Sequence, residues 1–155
     1  MALVVYGMEC LLCGRPMEEG QRLVAFPPFV GNELDPLWIF NDGAFHAACF
    51  ESHPLAENAL TRSEEAISKG QPDKRVCVVC GRRIDSPDDY FGVGHLVDDV
   101  RDPLYRYNYT QAHRSCLPQW SDLREFDELL EALKRSGDWR GPSLDRILRD
   151  LRSFL

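Results

Sequence analysis

Eight side chains able to bind a soft metal recur in two quartets of one spacing: Cys10, Cys13, His46, Cys49 and then Cys77, Cys80, His113, Cys116. Each member lies 67 positions from its counterpart, and each quartet reads C-x2-C, thirty-two residues, H-x2-C. Together they use all six cysteines and two of the four histidines, leaving no thiol for a disulfide. Thiolate and imidazole together suit tetrahedral zinc, and a two-residue gap lets one tight turn or one helical turn aim both ligands at a single ion. Iron or another soft metal is the alternative. A lone C-x2-C also fits redox chemistry, whereas two complete quartets in register predict two bound zinc ions. Pairing within each repeat is expected, because each repeat holds a full set; the alternative is a crossed arrangement with both C-x2-C pairs on one ion.

Four good ligands per ion leave no position for water, so these metals are expected to hold structure rather than to catalyse. Other chemistry-bearing residues are sparse. His53 follows Cys49 by four positions but stands beside Pro54, where a cap or surface role is expected over ligation to a filled quartet. His95, Asn108 and His113 resemble the order of an HNH nuclease, whose site also uses a ββα metal motif; the repeat assigns His113 to zinc instead. Lys74, Arg75, Arg82 and Arg83 surround the second C-x2-C and form the candidate contact for nucleic-acid phosphate or an acidic peptide, against a plain reading as a solvated basic rim. Asp98, Asp99 and Asp102 are expected in a hairpin loop rather than around a divalent ion.

The echo extends beyond the ligands. Residues 10–49 and 77–116 align without a gap and agree at eleven positions, seven of them not ligands: Gly14/Gly81, Arg15/Arg82, Val30/Val97, Asn41/Asn108 and the run Asp35-Pro36-Leu37 against Asp102-Pro103-Leu104. Trp38 and Phe40 face Tyr105 and Tyr107 in the alignment. Internal duplication is thus the organising fact of the chain.

These residues must be positioned by small elements. The glycine after each C-x2-C permits the positive φ that turns amides toward sulfur. Apolar stretches at Leu23 to Phe26, Leu37 to Phe40, Tyr90 to Val93 and Leu104 to Tyr109 predict two hairpins with ten-residue loops, and H-x2-C is expected on the first turn of a helix. Knuckle, hairpin and helix start, in that order, resemble the treble-clef zinc finger, including the first finger of LIM domains, in Cys10-Leu11-Leu12-Cys13-Gly14 through His46-Ala47-Ala48-Cys49 and again in Cys77-Val78-Val79-Cys80-Gly81 through His113-Arg114-Ser115-Cys116. The resemblance covers about 80 of the 155 residues. It departs from LIM in a longer intervening segment and in lacking the further C-x2-C of a second LIM site. It implies a fold type and metal.

Pro54 and Pro118 are expected to stop the ligand-bearing turns. Residues 54–69 then read as a helix with Leu55, Ala59, Leu60 and Ile67 inward, ending at the linker Gly70-Gln71-Pro72-Asp73. Leu123, Phe126, Leu129, Leu130 and Leu133 have helical spacing up to Gly137, and Leu144, Ile147, Leu148, Leu151 and Phe154 repeat it from Ser143. Intramolecular packing is expected for both, with the last helix the one to watch for docking on a partner.

The predicted architecture is therefore a small zinc-stabilised α+β chain of two tandem treble-clef-like fingers with a C-terminal helical pair, in domains 1–70, 71–120 and 121–155. Units of about 60 to 70 residues are marginal on core burial alone, and zinc affinity, on the order of 10 kcal/mol or more per site, then becomes folding free energy. Paired thiols without a surplus fit a reducing compartment, cytoplasm or nucleus. The apolar run Ala2 to Tyr6 is too short for a leader or membrane span. The formal charge of −7 disfavours polyanions overall. It is uneven: residues 8–49 carry two basic and six acidic side chains, residues 74–116 seven basic and six acidic. The expected function is a non-enzymatic protein-interaction adaptor contacting its partner through Phe26 to Leu37 and Val93 to Leu104, with nucleic-acid binding by the second finger and an HNH-like nuclease as alternatives.

Overall fold

A computed structural model describes residues 4–155; Ala2 and Leu3 of the short apolar run lie outside the described residues. Among the described residues the protein is a small α+β chain with two two-stranded antiparallel hairpins, short 3-10 helices and four α-helices. It divides into two compact units, residues 1–30 with 35–65, and residues 31–34 with 66–155.

In the first unit β1 (Leu23–Ala25) pairs with β2 (Ala44–His46) in the register Leu23↔His46 and Ala25↔Ala44. A short α1 (Ala47–Glu51) follows directly, and α2 (Ala56–Gly70) runs out of this unit into the next. The core is aromatic: the Phe26 ring lies 5.1 Å from Phe50 and 6.3 Å from Phe45, and Phe40 packs edge-on to both Phe45 and Phe50. In the second unit β3 (Tyr90–Gly92) pairs with β4 (Gln111–His113), and a 3-10 helix, Arg114–Gln119, stands where α1 stands in the first. Two amphipathic helices, α3 (Leu123–Ser136) and α4 (Ser143–Arg152), close this unit over a continuous core that includes Phe91, Tyr107, Leu117, Trp120, Phe126, Leu130, Leu148 and Leu151. Gly137 ends α3 at φ 81°, the left-handed cap that a Cβ disfavours. Segment 31–34 belongs here as well: Asn32 accepts from Arg140 N (2.9 Å) and donates to Asp138 O (2.8 Å), and Ser143 Oγ donates to Gly31 O (2.7 Å).

The constant offset of 67 reaches further in space than in sequence identity. Helix α2 begins at Ala56 and α3 at Leu123; His53 stacks edge-on against Phe40 (5.1 Å) as Trp120 does against Tyr107 (5.8 Å). The shared non-ligand residues hold the same backbone contacts in both units. Asp35 and Asp102 each accept from the amide two residues on, at 2.8 Å. Asn41 accepts from Phe29 N and Val30 N (2.8 and 2.9 Å), and Asn108 from Leu96 N and Val97 N (2.7 and 3.2 Å). Buried amides must find acceptors, and one carboxamide oxygen serves two of them in each unit.

Several sequence expectations are corrected. Leu37 to Phe40 and Leu104 to Tyr109 are not strands: Pro36–Phe40 and Pro103–Tyr107 are 3-10 helices. The Asp side chain satisfies the first free amide and proline presets φ, so this cap overrides the β propensity of the aromatics. Leu37 with Phe40, and Leu104 with Tyr107, three apart, form the buried side. The true strand partners are 44–46 and 111–113, and residues 26–43 and 93–110 separate the paired strands in place of ten-residue loops. Pro118 lies inside its 3-10 helix rather than ending it. Leu60 and Ile67 face out of α2, 43% and 48% exposed, while Ala59 and Ser63 are buried. The apolar residues expected to form interaction loops, among them Phe26, Phe29, Val30, Leu37, Val93, Leu96 and Leu104, are core. So is the apolar face of α4, through Leu144, Ile147, Leu148 and Leu151; Phe154 lies beyond the helix end and packs partly buried on the same core.

Candidate metal centres

Each C-x2-C is folded by its own backbone. Gly14 and Gly81, at φ 69° and 70°, donate to Cys10 O and Cys77 O (2.8 and 2.9 Å), and the amides of Cys10 and Cys77 donate to Arg15 O and Arg82 O (2.8 and 2.9 Å). The histidines end β2 and β4 in extended conformation, and the chain then turns helical, so the cysteine three positions on returns to the same side. The outcome is two clusters, Cys10-Cys13-His46-Cys49 and Cys77-Cys80-His113-Cys116, in each of which the four donor atoms lie within 4.8 Å of one another. The grouping follows the repeats, and the crossed arrangement is not the one adopted.

The donor geometry fits a tetrahedral ion. His46 Nδ1 lies 3.4 Å from Cys13 Sγ and 4.0 Å from Cys49 Sγ, and His113 Nδ1 lies 3.4 Å from Cys80 Sγ and 3.9 Å from Cys116 Sγ. Tetrahedral zinc at its usual bond lengths separates sulfur from nitrogen by about 3.6 Å. In the first cluster His46 Nε2 faces Gln21 Oε1 (3.0 Å) and Pro16 O (3.3 Å), both acceptors. Those partners hold the proton on Nε2 and leave the Nδ1 lone pair, on the side of the sulfurs, free to bind a metal ion, the outer support that metal-bound imidazoles require. In the second, the His113 amide donates to Cys77 Sγ (3.4 Å). Asp89 braces the helical start after His113 by accepting from Ser115 N (2.8 Å) and Ser115 Oγ (2.9 Å).

The electrostatics of the paired centres match. Cys10 and Cys77 are buried, Cys13 and Cys80 exposed. Cys13 is lowered to about 6 by the Arg15 amide and then the Arg15 guanidinium; Arg82 does the same for Cys80, also to about 6. Burial works against ionisation of Cys10 and Cys77, but the amides around them outweigh it and both are lowered. Desolvation and the neighbouring thiolates push Cys116 up to about 11 and raise Cys49. His46 is raised by its contact with Cys13, and His113 by its contact with Cys77. Three sulfurs crowded against one imidazole thus resist full ionisation by themselves, and a divalent cation relieves that repulsion. With three thiolates and one divalent ion each centre keeps a single negative charge, which Arg15 and Arg82 face. Arg15 and Arg82 thus take the same place beside their sulfurs in the two units.

The remaining candidates have other partners. His53 Nδ1 accepts from Leu55 N (3.1 Å), capping the turn before α2. His95 pairs with Asp98 (Nε2–Oδ1 3.0 Å) and packs 6.0 Å from the Tyr109 ring. Asn108 is committed to the backbone of residues 96 and 97. Lys74 Nζ bonds Ser68 Oγ (3.2 Å); Arg75 caps the end of α2 at Gly70 O (3.0 Å) and lies over the Tyr90 ring (4.5 Å); Arg83 pairs with Asp85 (2.6 Å). Asp99 holds Arg101 and Asp102 caps its 3-10 helix. Among the described residues the two quartets are the groups of metal-binding side chains drawn together. No described helix is long and apolar enough to cross a membrane.

No family model, curated protein or solved structure matches the chain. The geometry therefore stands on its own: two potential zinc sites in a small α+β protein, as in a structural zinc protein.

Gln21 and Asp89 were not legible as site residues. Neither is repeated at its partner position, where Asp88 and Arg22 stand, and each acts through an acceptor oxygen that only the folded turn brings near.

Proposed function

We propose that this protein is a non-enzymatic zinc scaffold that binds another protein, its two treble-clef-like fingers held by Cys10, Cys13, His46, Cys49 and Cys77, Cys80, His113, Cys116. The observation that carries the reading is the closure of both centres: four donors converge in each, and an arginine faces the sulfurs. A catalytic zinc keeps one position for water, and the presence of four protein donors at each centre supports a structural role instead. Metal supplies a rigid cross-link when bound. The chain's own residues do the rest: the knuckle amides orient sulfur, Gln21 orients His46, and Asp35, Asp102, Asn41 and Asn108 fix the loops.

A nucleic-acid function is the second reading. Four cations fall within ten residues, Lys74, Arg75, Arg82 and Arg83, but their engagement with Ser68, Gly70, Tyr90, the thiolates and Asp85 favours a protein partner. The test is recovery of a defined protein partner from nuclease-treated extract by the zinc-loaded chain. Loss of every partner on nuclease treatment, together with salt-steep RNA or DNA binding that Arg82→Ala and Arg83→Ala weaken, would replace the adaptor reading with the nucleic-acid one.

A further inference from the structure

The histidines of the two centres are anchored differently. His46 Nε2 meets Gln21 Oε1 (3.0 Å) and Pro16 O (3.3 Å), and the same Gln21 oxygen accepts from Glu18 N (2.8 Å). A backbone amide can only donate, so Glu18 fixes which end of the Gln21 carboxamide is the oxygen, and that oxygen in turn fixes the proton on His46 Nε2. With Nδ1 on a metal ion, the ring is then held at both nitrogens. Gln21 is a positioning residue: it touches the imidazole and acts on the metal through it.

The second unit lacks this brace for a local reason. Shifted by 67, Gly20 and Gln21 become Pro87 and Asp88. Gly20 stands at φ 85° in the turn that carries Gln21 to the imidazole. Proline is confined to φ of about −65° and cannot make that turn. Pro87 instead opens a 3-10 helix, Pro87–Asp89, on which Asp88 is exposed. Asp89 lines the cleft beside His113, but its two oxygens accept from Ser115 N and Ser115 Oγ (2.8 and 2.9 Å). Among the described residues the hydrogen bonds of the His113 ring run to sulfur alone, through Nδ1. That cleft, about 420 Å³ and bordered by Arg83, Asp85 and Asp89, gives the ring room to turn. The counterpart cleft beside His46 has Gln21 in its wall.

We propose that the two centres are kinetically unequal: the second exchanges its metal with free divalent cation, His113 being the ligand that lets go, while Gln21 locks His46 in the first. This rests on the two-zinc scaffold reading and adds to it which site turns over. The cation is a soft divalent one, zinc or cadmium, as three thiolates and an imidazole select. For it to leave, an imidazole has to turn away, and a ring without an acceptor on Nε2 turns more readily than one held by two. The size of the core works the other way at equilibrium, since the second unit keeps its donors assembled after the ion has gone. The inequality therefore lies in the rates of the folded, loaded chain.

The test loads both centres of the full chain with a spin-active cadmium isotope, whose two nuclear resonances are assigned by their couplings to the cysteine β-protons of each quartet. An excess of spin-silent cadmium is added, and the decay of each signal is followed. The second-centre signal is expected to decay about tenfold or more faster than the first, the scale on which an outer partner of a metal-bound histidine acts. Gln21→Leu should bring the first centre to a similar rate, and Gln21→Glu, which keeps an acceptor oxygen, should leave it slow. Gln21 is exposed, and uptake of two ions verifies that each variant folds. Equal decay of the two signals, faster decay at the first centre, or a first-centre rate unmoved by Gln21→Leu would overturn the inference and leave the zinc scaffold standing. Uptake of fewer than two ions by the wild-type chain would overturn both, and nuclease-resistant partner recovery decides the adaptor reading separately.

Discussion

Asn41 and Asn108 show how much a single side chain governs here. Each holds two amides of a loop that has no strand or helix of its own, at 2.7 to 3.2 Å. Removal leaves partly buried donors unpaired, each costing about 1–3 kcal/mol. Asn108→Ala is therefore expected to lower the stability of the zinc-loaded chain by about 2 kcal/mol or more in urea unfolding, against little change for Asn58→Ala on the open surface of α2. The repeat made this residue conspicuous in the sequence, and the nuclease-like order of His95, Asn108 and His113 offered a catalytic meaning; the two amide bonds it accepts, matched at Asn41, account for the repeat. Arg15 and Arg82 were equally conspicuous, and a phosphate contact was one reading of Arg82. Their placement beside thiolates yields a titration test. Cys13 and Cys80 sit at about 6, below the ordinary 9.0. In the metal-free chain, the thiolate's contribution to folding is present above the unfolded value and is lost as pH falls through about 6. Ultraviolet thiolate absorbance should show Cys80, in the unit that keeps its helical core, titrating near 6. Arg82→Ala should move it upward, only partly, because the backbone amide that heads the effect remains.

Elements divide into those with a strong local code and those without. Helices α3 and α4 were legible because apolar residues three and four apart are bounded by Ser121, Gly137 and Ser143. The 3-10 helices were misread because Trp38 and Phe40, like Tyr105 and Tyr107, alternate as a strand would, while the competing Asp-Pro cap lies outside the alternation. A paired substitution separates the two readings. Phe40→Ala, in the aromatic core, should cost about 3–5 kcal/mol, and Trp38→Ala, on the exposed side, less than about 1 kcal/mol. Similar losses for both would restore the strand. The strands themselves are three residues long and buried mainly by tertiary contact, so Ala44–His46 and Gln111–His113 carried no periodicity to find. Helix α2 was legible in extent but not in orientation: hydrophobicity pointed Leu60 and Ile67 inward, whereas Ala59 and Ser63 take the close approach.

For the whole molecule, the ligand spacing was legible outright, while the association of the C-terminal helices with the second hairpin was not, since nothing in the sequence of α4 specifies Arg114 as the partner of Asp150 (2.9 Å). The two units also differ in what holds them. The second has a continuous core through α3 and α4; the first relies on an aromatic cluster of five phenylalanines beside its cluster of thiols. Mass spectrometry under native conditions should find two zinc ions per chain, and chelation should abolish the cooperative unfolding of the first unit while leaving helical ellipticity from α3 and α4. Leu148→Ala should cost about 2–5 kcal/mol and act on the second unit alone, as read by hydrogen exchange. The unvarying offset of 67 has a consequence for synthesis on the ribosome. Two segments that fold to the same plan in one chain are each other's most plausible wrong partner, and a nascent Cys10-Cys13 pair could trap the later His113-Cys116 pair on one ion. Tandem modules are prone to such misassembly. Agreement at only eleven of forty aligned positions leaves the hairpin cores unlike: Phe45 stands where the other unit has Ala112, and Phe91 where the first has Val24. A crossed pairing would have to form without the apolar contacts that each unit makes within itself.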